Sequence, residues 1–346
     1  MSASIHTLRT LTDTRGRALH DLRISVMDRC NFRCTYCMPR EQFHDNYRFL
    51  KSSERLSFAE IARLARLFAQ LGVRKLRLTG GEPLLRANLA ELVGDLSTIP
   101  EIEDIALTTN GMLLAQHAIE LAANGLTRVT VSLDTLDEEI FQRMTGGLGA
   151  VKQVLTGIDA AIDAGLAPVK LNVVVERGVN DHCVLDIVEH FRGRPVIVRF
   201  IEFMDVGNRN AWRPEMVVPS RELLEQIRRR WPVEPMTRNY AGEVAERWKL
   251  CDGSAEIGFI SSVSQPFCGA CTRARLSSEG QFYTCLFATS GLDLRSALRS
   301  GGDDAALLDI IRNRWSVRAD RYSEIRDQLR RDEAAQRKIE MFYIGG

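Results

Sequence analysis

Between residues 22 and 202, short runs rich in β-branched residues alternate with stretches whose apolar positions recur at helical spacing. The pattern predicts strands at 22–26, 74–78, 104–108, 128–133, 169–175 and 196–202. It predicts helices at 57–71, 88–96, 112–122, 151–164 and 182–191. Ser57 and Glu60 make a capping box at the head of the first helix, and Gly72, Gly125 and Gly165 stand where helices should stop. Six successive strand–helix units imply a parallel sheet with right-handed crossovers.

Parity within the strands separates an open sheet from a barrel. Lys75, Arg77 and Thr79 alternate with Leu76 and Leu78, and Arg23 and Ser25 alternate with Ile24 and Val26. Thr130, Ser132 and Asp134 likewise oppose Val129, Val131 and Leu133, while Lys170 and Asn172 oppose Leu171 and Val173. A parallel sheet covered by helices on both faces is apolar on both. Here one face is polar and rather basic. The expectation is an α/β fold, a partial (βα)6 TIM-like barrel whose outer face packs helices and whose lumen holds a large polar anion. Strands that are polar by chance, or that lie at a sheet edge, are the alternative explanation.

Past residue 213 the pattern changes. Pro214 and Pro219 lie in a loop, 221–230 reads as a helix, and short strand-like runs follow. Helices are predicted at 292–299 and 304–314, and the charged tail from Ser316 ends in Met341-Phe-Tyr-Ile-Gly-Gly346. The expected organisation is a flexible N-terminal tail over 1–20, a barrel over 21–213 and a C-terminal region over 214–346.

Composition narrows the function classes. The 346 residues are 45% hydrophobic and 26% charged, which is ordinary for a globular chain. With 46 basic against 45 acidic residues the net charge is +1, so no global field favours nucleic acid or an anionic membrane. Any anion site must be local. No run approaches the roughly 18 apolar residues of a membrane span, and no signal-like block opens the chain, so a cytoplasmic protein is expected.

The cysteines are the exception to this ordinariness. Six of the eight form two triplets: Cys30, Cys34 and Cys37, then Cys268, Cys271 and Cys285. Long cysteine-free stretches argue against a disulfide scaffold and for metal ligation in a reducing compartment. Closed structural zinc sites take four protein ligands, and neither triplet has an obvious fourth. A cubane held by three thiolates leaves one iron open. A split zinc site remains the alternative for the first triplet, and a zinc knuckle completed by a distant histidine for the second. Cys183 and Cys251 read as free buried thiols.

Cys30-Asn-Phe-Arg-Cys34-Thr-Tyr-Cys37 resembles the CxxxCxxC hallmark of the radical S-adenosylmethionine (SAM) enzymes, with Tyr36 at the aromatic position. Thr79-Gly-Gly-Glu-Pro83 is similar to that family's GGEP motif, and Thr108-Thr-Asn-Gly111, Val131-Ser-Leu-Asp134 and Glu202-Phe-Met204 follow at later strand ends. The resemblance implies a 4Fe–4S cluster on Cys30, Cys34 and Cys37, and a SAM cradle built from Tyr36, Gly81, Glu82, Ser132 and Met204. The paired glycines would let backbone carbonyls approach the SAM amino group. Met204 could equally be a core methionine.

Directly after Cys271 comes Thr272-Arg273-Ala274-Arg275. In an extended chain both guanidiniums project on one face, and their forks match phosphate oxygens. With the basic lumen, this points to a polyphosphate held by side chains, because no GxxxxGK[ST] loop occurs. Together with the second triplet and the terminal Gly345-Gly346, these residues resemble the radical SAM branch that serves molybdenum cofactor biosynthesis.

That resemblance implies GTP as substrate. A 5′-deoxyadenosyl radical would take the C3′ hydrogen, and the ribose radical would attack C8 of guanine. It implies a second 4Fe–4S cluster on Cys268, Cys271 and Cys285 whose open iron meets the guanine edge. GTP would be bound by Arg23, Lys75, Arg77, Thr108, Lys170, Arg199, Arg273 and Arg275. Arg199 is the weakest of these, since its strand parity opposes Glu202 and Met204. Arg23, Arg273, Arg275, Gly345 and Gly346 are the candidates nearest the reaction. The resemblance further implies an electron donor, a homodimer, and cyclic pyranopterin monophosphate synthase as the next enzyme. Two rivals compete: a radical SAM enzyme that modifies a peptide with an auxiliary cluster, and a non-enzymatic Fe–S or zinc regulator, which would need a DNA-binding module.

Overall fold

The computed structural model describes residues 11–44, 46–240, 242–331 and 337–345. The predicted strands are present as β1 (Asp21–Met27), β2 (Lys75–Gly80), β3 (Asp104–Thr109), β4 (Arg128–Ser132), β5 (Val169–Val175) and β6 (Val196–Glu202). They are parallel neighbours in sequence order. The intervening helices are α1 (Phe58–Gln70), α2 (Leu89–Ser97), α3 (Leu114–Ala123), α4 (Glu138–Thr145), α5 (Val151–Asp163) and α6 (Val184–Phe191). The capping box predicted for α1 closes in both directions, from Glu60 N to Ser57 Oγ at 3.2 Å and from Ser57 N to Glu60 Oε2 at 2.7 Å. Helix α4 has no counterpart among the predicted helices. It is short, capped by Asp137 accepting from Ile140 N at 2.9 Å and stopped by Gly146 at a φ of 75°.

The predicted parity holds. Leu22, Ile24, Leu76, Leu78, Val129, Val131, Leu171 and Val173 are buried in the main core under the helices. Their polar neighbours face the lumen, and they sit on central strands, so the edge explanation fails.

The C-terminal region does not form a separate layer. After α7 (Ser220–Arg230), the strands β7 (Val233–Pro235), β8 (Glu246–Leu250) and β9 (Glu256–Ile260) extend one edge, with β9 parallel to β6. The strands β10 (Arg273–Leu276), β11 (Gln281–Tyr283) and β12 (Leu292–Asp293) extend the other, with β10 parallel to β1. Among the described residues, the order β10-β1-β2-β3-β4-β5-β6-β9 makes eight consecutive parallel strands inside one 12-stranded sheet. Helices α8 (Leu294–Arg299), α9 (Asp304–Ser316), α10 (Arg326–Arg331) and α11 (Met341–Ile344) complete the chain.

Two expectations need correcting. Residues 11–20 are built into the fold rather than loose, with a bridge between Thr12 and Ala18 and buried Asp13, Arg17 and Leu19; residues 1–10 lie outside the described part. Cys183 is buried as expected, but Cys251 is exposed. It begins the turn after β8, where the strand alternation ends and no longer aims its side chain inward.

Candidate active site

All six clustered cysteines line one cavity of ≈ 300 Å³ inside the barrel. The first triplet lies in the loop that follows the C-terminal end of β1, where functional residues of βα barrels collect. Cys268 and Cys271 precede the N-terminal end of β10, and Cys285 follows β11. Since β1 and β10 run parallel, the strands set the two triplets apart along the lumen.

The Gly80–Gly81 pair packs tightly against the first cysteine loop. A Cβ on Gly80 would meet the Met27 carbonyl oxygen at 2.2 Å, and one on Gly81 the Arg29 carbonyl oxygen at 2.2 Å. Gly81 N donates to Met27 O at 2.7 Å and Glu82 N to Arg29 O at 2.8 Å. The glycines therefore join the loops after β1 and β2, a packing reason that sequence reading did not supply. The Glu82 carboxylate accepts from Leu84 N, Asn110 N and the Thr109 hydroxyl at 2.7–3.0 Å. Burial raises its pKa to about 7 against those bonds. Tyr36 donates to Asp134 Oδ2 at 2.7 Å, and burial raises Asp134 to about 6. Ser132 and Met204 also line the cavity, and Met204 packs on the apolar patch of Ile201, Ala245 and Ile260.

Strand register places like charges side by side. Arg275 on β10 pairs with Arg23 on β1, which pairs with Arg77 on β2. Adjacent like charges repel in the absence of an anion. Arg77 donates to the hydroxyls of Thr108 and Thr130 at 3.0 and 3.1 Å. Arg199 donates to Asn172 Oδ1 at 2.6 Å and faces the same lumen, while Glu202 turns away to Ser220 and Ser264. The parity that set Arg199 apart thus makes it a lumen residue. Burial, then the Arg199, Arg128 and Arg77 charges, lower Lys170 to about 7. Burial and the Arg77 charge lower Arg199 to about 9, and burial and the Arg273 charge lower Arg275 to about 10. Buried Arg275 Nη1 and Arg199 Nε have no hydrogen-bond partner among the described residues.

This basic end continues into a second cavity lined by Arg23, Lys75, Arg77, Lys170, Arg199 and Arg273. Tyr240 lies over the Lys75 ammonium at 3.6 Å. Arg128 also lines it, paired with Asp104. Its parity with Thr130 and Ser132 could have revealed it. Tyr240 gave no such signal, because it comes from an irregular loop.

The thiol sets suit iron–sulfur ligation. All six are free. Burial pushes Cys30 and Cys285 up to about 12, and Cys34 and Cys37 up as well, so these sulfurs stay neutral thiols until a cationic centre binds. Burial also raises Cys271, but Arg273, whose Nε and Nη2 lie 3.4 Å from its Sγ, and Arg318 outweigh that and bring it to about 6. Among the described residues no three ligating side chains close on a single point. A four-iron cluster offers each sulfur its own iron and does not ask them to.

The chain's last described residues reach this site. Phe342 packs on Phe43 with ring centroids 5.0 Å apart, and Met341 and Phe342 line the main cavity. Gly345 has a φ of +77°, and a Cβ there would lie 2.3 Å from Thr79 Cγ2. Gly346 lies outside the described residues.

Comparison with known proteins agrees with this geometry. Residues 24–191 match the Radical SAM superfamily, and residues 196–324 match Molybdenum Cofactor Synthesis C. Solved structures of Streptococcus suis SuiB share the fold at 14% identity. The form bound to S-adenosylmethionine has a TM-score of 0.61, covering 86% of this chain and 69% of that one. The form bound to precursor peptide SuiA also scores 0.61, covering 95% and 77%. The chain is thus a radical SAM protein with a molybdenum-cofactor-type C-terminal region.

It is 54% identical to a GTP 3′,8-cyclase of Xanthomonas campestris pv. campestris over 97% of each chain. It is 52% identical to one of Acidothermus cellulolyticus, covering 97% of this chain and 99% of that one. One of Staphylococcus haemolyticus is 48% identical with the same coverage. The chain belongs to the GTP 3′,8-cyclase family.

Proposed function

We infer that this chain is a GTP 3′,8-cyclase of molybdenum cofactor biosynthesis, joining C3′ of the ribose to C8 of guanine to give (8S)-3′,8-cyclo-7,8-dihydroguanosine 5′-triphosphate. The observation that carries this reading is a single lumen with a thiol triplet near each end and buried guanidiniums between, of which Arg199 Nε and Arg275 Nη1 have no hydrogen-bond partner among the described residues. The two 4Fe–4S clusters and SAM, when bound, supply the electron and the radical that takes hydrogen from the substrate. Cys30, Cys34 and Cys37 hold one cluster, and Cys268, Cys271 and Cys285 the other. Tyr36, Gly81, Glu82, Ser132 and Met204 shape the SAM cradle. Arg23, Lys75, Arg77, Thr108, Lys170 and Arg199 take the triphosphate and ribose, whose charge relieves the repulsion among them. Arg273 and Arg275 connect that anion site to the second thiol triplet, and Gly345 closes the cavity beside Thr79.

By family resemblance, the enzyme draws electrons from an external donor, passes its product to cyclic pyranopterin monophosphate synthase and acts as a homodimer. A cytoplasmic location fits the described residues, none of whose helices is long and apolar enough to cross a membrane. A peptide substrate is disfavoured by the basic lumen, because a neutral backbone would leave its guanidiniums unpaired. The test is anaerobic reconstitution followed by SAM, dithionite and GTP. Iron for two four-iron clusters per chain, with 5′-deoxyadenosine and a cyclised nucleotide formed together, supports the reading. Deoxyadenosine without a GTP product would overturn the substrate.

A further inference from the structure

Two buried guanidiniums hold the backbone of the second cysteine pair. Arg17 Nη1 donates to the Cys268 carbonyl oxygen at 2.8 Å and to the Asp320 carbonyl oxygen at 2.7 Å. Arg318 Nη1 donates to the Cys271 carbonyl oxygen at 2.8 Å. One carboxylate serves both: Asp13 Oδ2 accepts from Arg17 Nε at 2.6 Å and lies 3.4 Å from Arg318 Nη1. Both segments are tied at the backbone as well, since Thr14 Oγ1 donates to Arg318 O at 2.7 Å and Trp315 Nε1 to Arg17 O at 3.2 Å. The three side chains are at most 2% exposed.

Two features exceed what a structural brace needs. Arg17 Nη2 is buried and has no partner among the described residues, although Arg17 and Arg318 line the cavity together with Cys268, Cys271 and Cys285. An unpaired buried donor is costly unless something accepts from it. In addition, two fully buried cations share one fully buried anion. The nearest other carboxylate, Asp320, lies 3.4 Å from Arg318 Nε but is a third exposed and screened by water.

We propose that Asp13, Arg17 and Arg318 form a positioning network for the second iron–sulfur centre, setting its reduction potential through buried charge and through the free Nη2 donor of Arg17. The inference rests on the reading that Cys268, Cys271 and Cys285 hold a cluster. Positive charge and hydrogen-bond donors near a cluster stabilise its more electron-rich, reduced form. Asp13 and Arg17 therefore act with opposite sign on the same centre.

The test is a potentiometric titration of the reconstituted full-length protein, followed by electron paramagnetic resonance. The first cluster's signal is identified by its change on adding SAM. Arg17→Gln removes a cation and is expected to lower the second cluster's potential. Asp13→Asn removes the anion and is expected to raise it. The first cluster's potential serves as the internal control. Shifts of opposite sign support the network; shifts of the same sign, or none with full iron content, overturn it. Where Arg17→Gln loses the second cluster, Arg17→Lys decides: a retained cluster near the wild-type potential supports the charge argument, and a lost cluster overturns it. A wild-type protein carrying iron for only one cluster would instead remove the underlying reading, a different result.

Discussion

At the scale of single residues, the site depends on side chains that are missing as much as on those present. Gly345 sits at a φ of +77° with Thr79 Cγ2 only 2.3 Å from where a Cβ would be. A left-handed conformation costs an ordinary residue about 1–2 kcal/mol before any clash is counted. Gly345→Ala is therefore expected to lower cyclisation by about tenfold or more with the melting temperature unchanged. Full turnover would show that the tail does not close the cavity. Lys170 gives a pH prediction. Its ammonium is lowered to about 7 in the unliganded lumen, so at pH 8 it is largely neutral. A bound triphosphate favours the charged form, and binding should take up close to one proton at pH 8 and almost none at pH 6. Calorimetry in buffers of different ionisation enthalpy reads this directly. Lys170→Met should abolish the difference. Lys170 was legible from strand parity and Gly345 only through the family resemblance, whereas Arg17 was not legible, because it precedes the first strand in a segment without periodicity.

At the scale of elements, β10 matters most. Its Ala274 and Leu276 are buried against the core, and this fixes Arg273 and Arg275 in the lumen beside β1. The alternation was visible in Thr272-Arg273-Ala274-Arg275, but the strand's partner was not, since pairing across more than 240 residues leaves no local signal. Helix α9 supports that edge through Trp315, which is fully buried and donates to Arg17 O. Trp315→Ala should destabilise the chain by about 3–5 kcal/mol, as for other large-to-small core changes. Anaerobic urea unfolding measures it. A loss under about 1 kcal/mol would mean that α9 packs loosely.

At the scale of the whole molecule, two thiol triplets far apart in sequence share one cavity, and separable tasks are expected of them. Cys30→Ser should abolish SAM cleavage. Cys268→Ser should leave uncoupled deoxyadenosine formation measurable while the cyclised nucleotide disappears. Quantifying both products by liquid chromatography distinguishes the two. Cyclisation surviving either substitution would contradict the division of labour. The sheet explains why the halves act as one: β9 and β10 continue it on both sides, so the second triplet is held by the same barrel that carries the first.

The sequence by itself determined the six βα units, the basic lumen face and both cysteine triplets, because periodicity, parity and short spacing are local properties of a chain. Tertiary structure alone decided that the barrel gains β9 and β10, that Gly80 and Gly81 are fixed by the carbonyls of Met27 and Arg29, and that Asp13, Arg17 and Arg318 meet behind Cys268 and Cys271. Each of these is a contact between segments distant in sequence, and its energy exists only once the chain has closed on itself.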